Sequence, residues 1–420
     1  MNRFLVLILP LLLFPALSYG EPFYKADRAP LKNFMKFVAE YDKADFNNTS
    51  YVSLHMGRSD DPKYRANICK IGKIFWDKHE KDLRGIIENW EQILSDPLPF
   101  CEPGQLKADM TNPDIAFCRQ YSFMLSAVIE YLIADKRPEE ALKLSALLFR
   151  FGQFMMSLDG NGYVLFAVIL GGAISGNAIT PNLGNALLSP NLCQDFLKKF
   201  EKHWNRMLNE NPSVKKIFDS ETAIAKETSL KEAWEKSSGE TLSKFGILTS
   251  AEDLNKAWDS LNGSLETLIK EYLQLFEKTI KMPTYSRFNR AMARHLDKID
   301  SIAKNPPSDM DRYAAYAHKL FRIAAPSYEA FPTYFKIVYP AKGISLLAKA
   351  AIYEKPKSAE ELKKAIEKYL PADIFSNRQE KLKVKRKGSE ILVYSLGFNG
   401  CDDEGYEPND ISVIRISYEK

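Results

Sequence analysis

The chain has 420 residues, of which 45% are hydrophobic and 27% are charged, and its formal net charge at pH 7 is +4. A chain of this length can bury roughly two or three separate cores, so we expect more than one domain. The charges are nearly balanced and are spread along the chain without a basic or acidic tail, which argues against nucleic acid as a partner.

Residues 1–20 are predicted to be a signal peptide. Arg3 precedes an apolar stretch over residues 4–17, and the small residues Ser18 and Gly20 occupy the two positions that a signal peptidase recognises. The alternative is an uncleaved membrane anchor, but the apolar stretch is shorter than the roughly 20 residues that a membrane-spanning helix needs. We therefore expect an exported protein, periplasmic or extracellular, with no membrane span in the mature chain.

Five cysteines follow this segment. In an oxidising compartment some of them should form disulfides, and their odd number leaves at least one thiol free. Cys101 and Cys118 are the favoured pair because the segments between them are loop-forming, but the sequence does not decide the pairing. A zinc site is the alternative, and it lacks a C-x-x-C motif or a nearby pair of histidines. The cysteines are Cys69, Cys101, Cys118, Cys193 and Cys401.

Most of the chain before about residue 376 has the periodicity of amphipathic helices. A loop-rich segment at residues 96–113 interrupts it and is a candidate domain boundary. After Phe117, apolar residues at helical spacing predict a helix, residues 135–138 predict a turn, and acidic residues then predict the start of an antiparallel second helix. The junction resembles those of tetratricopeptide hairpins, but no period of about 34 residues is present, so a single helical hairpin is favoured.

The most apolar stretch of the mature chain, residues 163–179, is predicted to be a helix buried on all sides. Its glycines, among them Gly171 and Gly172, would allow neighbouring helices to approach closely. The alternative is a membrane span, but the stretch is at the lower limit of length and contains Asn177.

Alternating polarity near the C-terminus predicts three short antiparallel strands, at residues 381–385, 390–394 and 411–416. The predicted fold class is mainly α: a multi-helix bundle or helical-hairpin body, followed by a small α+β module with an antiparallel sheet of about three strands. The predicted organisation is a signal peptide, an N-terminal helical region, a helical body and the C-terminal module, at residues 1–20, 21–110, 111–330 and 331–420.

An acidic segment between the second and third predicted strands is the one candidate for specific chemistry. It carries six oxygen-bearing side chains and three glycines that allow tight turns. Calcium prefers six to eight oxygen ligands in a flexible arrangement, and a hairpin loop this long and acidic needs something to hold it closed. The spacing is not that of an EF-hand. The six residues are Asn399, Asp402, Asp403, Glu404, Glu407 and Asp410.

This segment resembles the C-terminal loop of the major pseudopilins of type II secretion systems. The resemblance lies in residues 395–397, which read Ser-Leu-Gly, and in Asp410-Ile411. It also lies in the upstream layout, which has predicted helices at residues 342–353 and 358–370 and then the Leu-Pro-Ala-Asp-Ile-Phe-Ser segment at residues 370–376. It covers roughly the last 80 residues and implies a small α+β module at the end of a helical protein. It also implies one calcium ion, bound by the backbone carbonyls of Leu396 and Cys401 and the side chains of Asn399, Asp402, Asp403 and Asp410. A solvated acidic loop without metal is the alternative.

No catalytic or cofactor-binding motif is recognisable, because the chain lacks a nucleophile elbow, a phosphate-binding loop and a dinucleotide-binding glycine motif. We therefore expect an exported scaffold or protein-interaction protein with an unidentified protein partner, a calcium-stabilised loop and no catalysis. Two alternatives remain: a hydrolase with carboxylates from distant helices, and an envelope-associated component of a secretion apparatus. The five histidines are scattered, and each is predicted to be a surface or capping residue: His55, His79, His203, His295 and His318.

Overall fold

A computed structural model describes most of the chain between residues 61 and 418. The described residues are 52, 61–95, 114–156, 165–211, 252–279, 285–311, 314–315, 317–318, 321, 331–373, 375–376, 380–397, 402–405 and 411–418. The predicted signal peptide and the Cys101 half of the favoured disulfide lie outside them.

The described part of the chain is mainly helical and ends in three strands, which confirms the predicted fold class. A single π-helical turn, Ala350–Glu354, follows the tenth helix. The helices are α1 Pro62–Glu88, α2 Trp90–Ser95, α3 Asp114–Ala134, α4 Pro138–Met156, α5 Leu165–Asn177, α6 Leu183–Leu187, α7 Gln194–Glu210, α8 Glu252–Thr279, α9 Tyr285–Lys304, α10 Phe331–Lys349 and α11 Ala359–Tyr369. The strands are β1 Lys383–Lys387, β2 Glu390–Ser395 and β3 Ile411–Ser417.

The chain forms two compact units. Unit 1 combines residues 1–99, 110–155 and 170–207, and unit 2 combines residues 100–109, 156–169 and 208–420. Unit 1 therefore contains α1 to α4, α6 and α7, whereas α8 to α11 and the sheet belong to unit 2. The predicted division near residues 110 and 330 stays a prediction.

The predicted helical hairpin in unit 1 consists of α3 and α4. Its turn is built by Lys136, which has a left-handed backbone conformation with φ of 58°. The amide of Lys136 donates to the carbonyl of Ile133, and the amide of Arg137 donates to the carbonyl of Leu132. This pair of hydrogen bonds is a Schellman motif, which satisfies the last carbonyls of α3. Pro138 then begins α4, where its missing N–H costs no helical hydrogen bond.

Close helix packing surrounds the apolar helix α5. A Cβ atom at Gly152 of α4 would lie 2.5 Å from the carbonyl oxygen of Gly171, so the two helices meet at their glycines as expected. The carbonyls at the end of α5 accept hydrogen bonds from buried serines of the hairpin, since Ser126 donates to Asn177 and Ser145 donates to Ala178. Within the described residues, no helix is both long enough and apolar enough to cross a membrane.

A second close approach joins α1 to the hairpin. A Cβ atom at Gly72 would lie 2.0 Å from the carbonyl oxygen of Ala127 in α3, so only glycine fits at this crossing. The neighbouring side chains Ile68, Phe75 and Trp76 are buried. Apolar burial on both sides of the contact stabilises the packing of α1 on α3.

The sheet of unit 2 is antiparallel with strand order β1-β2-β3. Lys387 pairs with Glu390 across a two-residue turn in which Gly388 has φ of 62°, and Ser395 pairs with Ile411 at the opposite end. The first strand ends two residues later than expected because this tight turn lets the pairing continue to Lys387. Helix α10 covers β3, and a Cβ atom at Gly343 would lie 2.5 Å from the carbonyl oxygen of Val413.

Candidate functional site

The acidic segment connects two neighbouring strands. It leaves β2 after Ser395 and enters β3 at Ile411, and these two residues are paired. Both ends of the loop over residues 396–410 are therefore fixed next to each other by the sheet. Of the six predicted ligands, the structure describes Leu396, Asp402 and Asp403. The remaining predicted ligands lie outside the described residues: Asn399, Cys401 and Asp410.

Asp402 is held in place by strand β2. The phenol of Tyr394 donates to the Oδ1 atom of Asp402 over 2.9 Å, and the backbone amide of Glu404 donates to the same oxygen over 3.0 Å. Both hydrogen bonds thus use one carboxylate oxygen. Side chains that are locked by neighbouring hydrogen bonds make better ligands than free ones, because less of their motion is lost on binding.

The tip of the loop, residues 402–405, lies against the face of the sheet. Gly405 has φ of 81°, and a Cβ atom there would lie 2.3 Å from the Cδ2 atom of Leu392. Lys385 of β1 forms an ion pair with Glu404 over 2.5 Å. Both partners are largely exposed, so this pair contributes at most about 1 kcal/mol. The tip is thus positioned by packing more than by charge.

The beginning of the loop is held by Asp373, which is only 2% exposed. Its carboxylate accepts a hydrogen bond from the amide of Leu396 over 2.8 Å and from the hydroxyl of Ser395 over 2.8 Å. It also accepts from the amide of Phe375 over 3.0 Å and from the phenol of Tyr339 in α10 over 3.3 Å. A buried carboxylate is tolerated only when its oxygens are hydrogen-bonded, and these donors meet that requirement.

A cationic group lies near this carboxylate. Lys342 follows Tyr339 by one turn of α10, with its ammonium 5.3 Å from the centre of the Tyr339 ring. Burial lowers the pKa of Lys342, whereas the charge of Asp373 acts in the opposite direction. Asp373 is therefore buried and has a positively charged side chain in its vicinity. Hydrogen bonds are electrostatically stronger in such a buried environment than in water.

Sequence reasoning gave Asp373 no role. The residue belongs to the Leu370–Ser376 segment that carries the resemblance, and one observation could have identified it. Asp373 stands among Ala372, Ile374 and Phe375, and an acidic residue in an apolar stretch outside a helix often has buried partners. Its partners come from residues 339 and 395–396, which a local pattern does not reveal.

A second buried carboxylate, Glu130, lies in unit 1 and is 4% exposed. It accepts hydrogen bonds from the backbone amide of Asn182 over 3.1 Å and from the Nδ2 atom of the same residue over 2.5 Å. Glu130 therefore fixes the turn that precedes α6. The Sγ atom of Cys69 lies 3.7 Å from the carbonyl oxygen of Glu130, and burial raises the pKa of this thiol to about 11.

The described histidines are more enclosed than their predicted surface or capping roles imply. His203 packs against Trp90, His295 packs against Tyr272, and burial lowers the pKa of both imidazoles. His318 is largely buried, and its Nδ1 atom lies 2.7 Å from the carbonyl oxygen of the residue four positions earlier. In the part of the chain that the structure describes, no three His, Cys, Asp or Glu residues are grouped so that they could hold a metal ion.

The donor set predicted for the loop consists of oxygen atoms only. Carboxylates, an amide oxygen and backbone carbonyls suit a hard cation such as calcium and would bind zinc or copper poorly. The structure describes only three of the six predicted ligands, so the calcium site stays a prediction. In comparisons with known proteins, no family model matches the chain, and no curated protein and no solved structure matches it.

Proposed function

We propose that this chain is an exported helical protein that binds other proteins, and that one calcium ion stabilises its C-terminal loop over residues 396–410. The position of Asp402 carries this proposal. Two hydrogen bonds to its Oδ1 atom hold the carboxylate where the loop turns back over the sheet. The loop thus contains at least one acidic side chain whose orientation is fixed by hydrogen bonds from the protein itself.

The proposed cation would reduce the repulsion between the acidic side chains of the loop. The loop contains Asp402, Asp403, Glu404, Glu407 and Asp410 within a few residues, and like charges at this spacing repel each other. Lys385 offsets part of this repulsion through Glu404. A calcium ion would offset much more, because it brings two positive charges into contact with the oxygens themselves. Calcium binding would therefore favour the closed conformation of the loop.

The proposed partner is another protein. Two large apolar side chains are well exposed in the described part of the chain: Ile74 of α1 is 51% exposed, and Tyr353 of the π-helical turn is 60% exposed. These are the first positions at which substitution to serine should weaken partner binding without loss of folding. The hydrolase alternative has less support, because the buried carboxylates Glu130 and Asp373 each accept hydrogen bonds that hold backbone segments together.

The experiment is thermal unfolding of the mature chain with calcium chloride and with a chelator. We expect calcium to raise the melting temperature of the wild type, since a ligand at 100 times its Kd stabilises the folded state by about 2.7 kcal/mol. Asp402→Ala and Asp410→Ala should lower the melting temperature more in calcium than in chelator, because in chelator Asp402→Ala loses only the hydrogen bonds from Tyr394 and Glu404. Glu390→Gln is the control, because this residue pairs with Arg415 in the same sheet but lies outside the loop. An unchanged response of the aspartate variants to calcium would refute the proposal.

A further inference from the structure

Strand β1 is an edge strand of the sheet in unit 2. The sheet order places β2 on one side of β1. On the other side, the amide of Leu382 donates to the carbonyl of Pro371 over 3.1 Å, so the chain just before β1 is paired there. Within the described residues, no backbone hydrogen bond continues this outer pairing past Leu382. We call the outer side of residues 383–387 the open edge.

The pairing geometry shows which backbone groups face the open edge. In an antiparallel pair, successive residues point their N–H and C=O groups alternately toward the neighbouring strand and away from it. Lys387 and Glu390 close a two-residue turn and are therefore hydrogen-bonded to each other. The backbone groups of Val384 and Arg386 consequently point away from β2. The outward hydrogen bond of Leu382 agrees with this alternation.

The two outward-facing residues offer both donors and acceptors. Neither the amide nor the carbonyl of Val384 or Arg386 has a hydrogen-bond partner among the residues that the structure describes. Arg386 is exposed and Val384 is half-buried. An extended peptide that adds to such an edge forms main-chain hydrogen bonds with these groups, and many peptide-binding domains use this mode of recognition.

The side chains along the open edge are basic, which disfavours one partner and favours another. The strand reads Lys-Val-Lys-Arg-Lys. Lys383, Lys385 and Lys387 share one face of the sheet because side chains alternate along a strand. A second copy of β1 would bring lysines close to lysines, and like charges opposite each other are destabilising. An acidic strand would instead place carboxylates beside these lysines, where opposite charges attract.

Ion pairs within the chain neutralise these lysines only in part. Lys383 pairs with Glu380, whose side chain is 39% exposed. Lys385 pairs with Glu404, whose side chain is 77% exposed. Such exposed pairs contribute little to stability, so a partner can replace them at small cost. Lys387 is exposed and forms no ion pair with another residue that the structure describes.

We infer that the open edge of β1 binds an extended acidic segment of a protein partner as an additional strand. The inference names a class of partner and rests on the protein-binding part of the proposed function. The acidic residues of the partner alternate, so that they lie on the face of Lys383, Lys385 and Lys387. The residues between them lie on the face of Val384. Apolar side chains fit there, because Val384 pairs with the fully buried Val393.

The test is titration of the mature chain with a synthetic peptide of about seven residues in which Glu alternates with Val. We expect the bound peptide to slow amide exchange at Val384 and Arg386. Exchange at Lys385 should change little, because its amide already faces β2. The same peptide with Lys in place of Glu should not bind. If the wild type binds neither peptide, or binds both equally, the inference is refuted.

Modified peptides separate main-chain pairing from a general attraction of charges. Only one of the two alternate sets of peptide amides can face β1. N-methylation of that set should weaken binding about 5-fold for each hydrogen bond lost, and N-methylation of the other set should have little effect. If both methylated peptides bind as well as the parent peptide, the edge recognises acidic charge alone and the inference is refuted.

Variants of the chain test the role of the lysines. Lys385→Gln combined with Lys387→Gln should weaken binding of the Glu peptide about 3- to 10-fold, because two cross-strand charge pairs are lost. Lys304→Gln is the matched control, since it removes an exposed, ion-paired lysine from α9 and should leave the affinity unchanged. If the double variant fails to fold, Lys387→Gln alone replaces it. Unchanged affinity in whichever variant is used would refute the inference.

The outcome can be separated from that of the proposed function, because no step of this test requires a cation. If the Glu peptide does not bind and calcium still raises the melting temperature, the inference is refuted and the calcium-stabilised loop stands. If the Glu peptide binds and calcium has no effect, the inference stands and the proposed calcium site is refuted.

Discussion

The two buried carboxylates show how differently the two units use a buried charge. In unit 1, Glu130 binds a single residue, Asn182, and fixes one turn between helices. In unit 2, Asp373 accepts hydrogen bonds from three segments. Helices satisfy most of their own backbone groups, so buried polar side chains are needed only at their ends. A small sheet with long connections leaves more backbone amides unpaired, and a central acceptor then becomes part of the fold.

The largest expected effect is that of Asp373→Ala, measured by urea unfolding in chelator so that no cation contributes. Removal of the carboxylate leaves the amides of Phe375 and Leu396 without this acceptor, which should cost about 3 kcal/mol. Glu130→Ala should cost about 1–2 kcal/mol, because it affects donors of one residue only. Equal losses of unfolding free energy in the two variants would show that stability does not depend on how many segments the carboxylate connects.

A smaller effect should follow from Gly72→Ala, which tests helix packing in unit 1. The added methyl group would lie 2.0 Å from the carbonyl oxygen of Ala127, so α1 must shift away from α3 at a cost of about 1–3 kcal/mol. Gly85→Ala is the control in the same helix, since a Cβ atom there meets nothing within 4 Å. It should stabilise the protein by about 0.5–1 kcal/mol, the usual difference between alanine and glycine in a helix. The same sign for both variants would contradict the structure.

The smallest effect concerns pH. Burial lowers the folded-state pKa of His203 in unit 1 and of His295 in unit 2, so the unfolded chain takes up protons at these sites at higher pH than the folded chain does. The stability that their neutral forms provide is present above the unfolded value of about 6.5 and is lost as the pH falls through the folded values. We expect the urea midpoint to decrease between about pH 7.5 and pH 5.

The matched variants are His203→Gln and His295→Gln, which should each flatten this decrease. Both imidazoles are only half-buried, so water screens their surroundings and each contribution should be small. If the urea midpoint changes with pH equally in the wild type and in both variants, the pH dependence comes from other groups. A larger effect for one histidine would show which of the two imidazoles contributes more to the pH dependence of stability.

The helices and the three strands could be predicted because their periodicities are local. The start of α4 follows from Pro138 and the acidic residues after it, and the strand pattern is visible in the alternation of β2 and β3. The turn over residues 135–138 could be predicted, but the left-handed conformation of Lys136 within it could not, because lysine gives no indication of such a conformation. The π-helical turn Ala350–Glu354 likewise has no sequence pattern that distinguishes it from an ordinary helical turn.

The candidate site was only partly accessible to sequence reasoning. The location of the loop between two paired strands is confirmed. It could be predicted because a long hydrophilic segment between two segments of alternating polarity is typical of a connection between strands. The role of Tyr394 at Asp402 and that of Asp373 at Leu396 were missed. Both depend on which face of β2 a side chain occupies and on contacts between residues far apart in sequence. The identity of the ligands stays a prediction.

The burial of Cys69 has a consequence for the reactivity of the thiols in this chain. With a pKa of about 11, this thiol is ionised in only on the order of one molecule in ten thousand at pH 7, and the thiolate is the form that reacts. Cys193 is exposed and also unpaired. Of the two cysteines whose side chains the structure describes, alkylating reagents, oxidants and mixed-disulfide partners should therefore attack Cys193 well before Cys69, which makes Cys193 the better of the two for attaching a fluorescent or spin label.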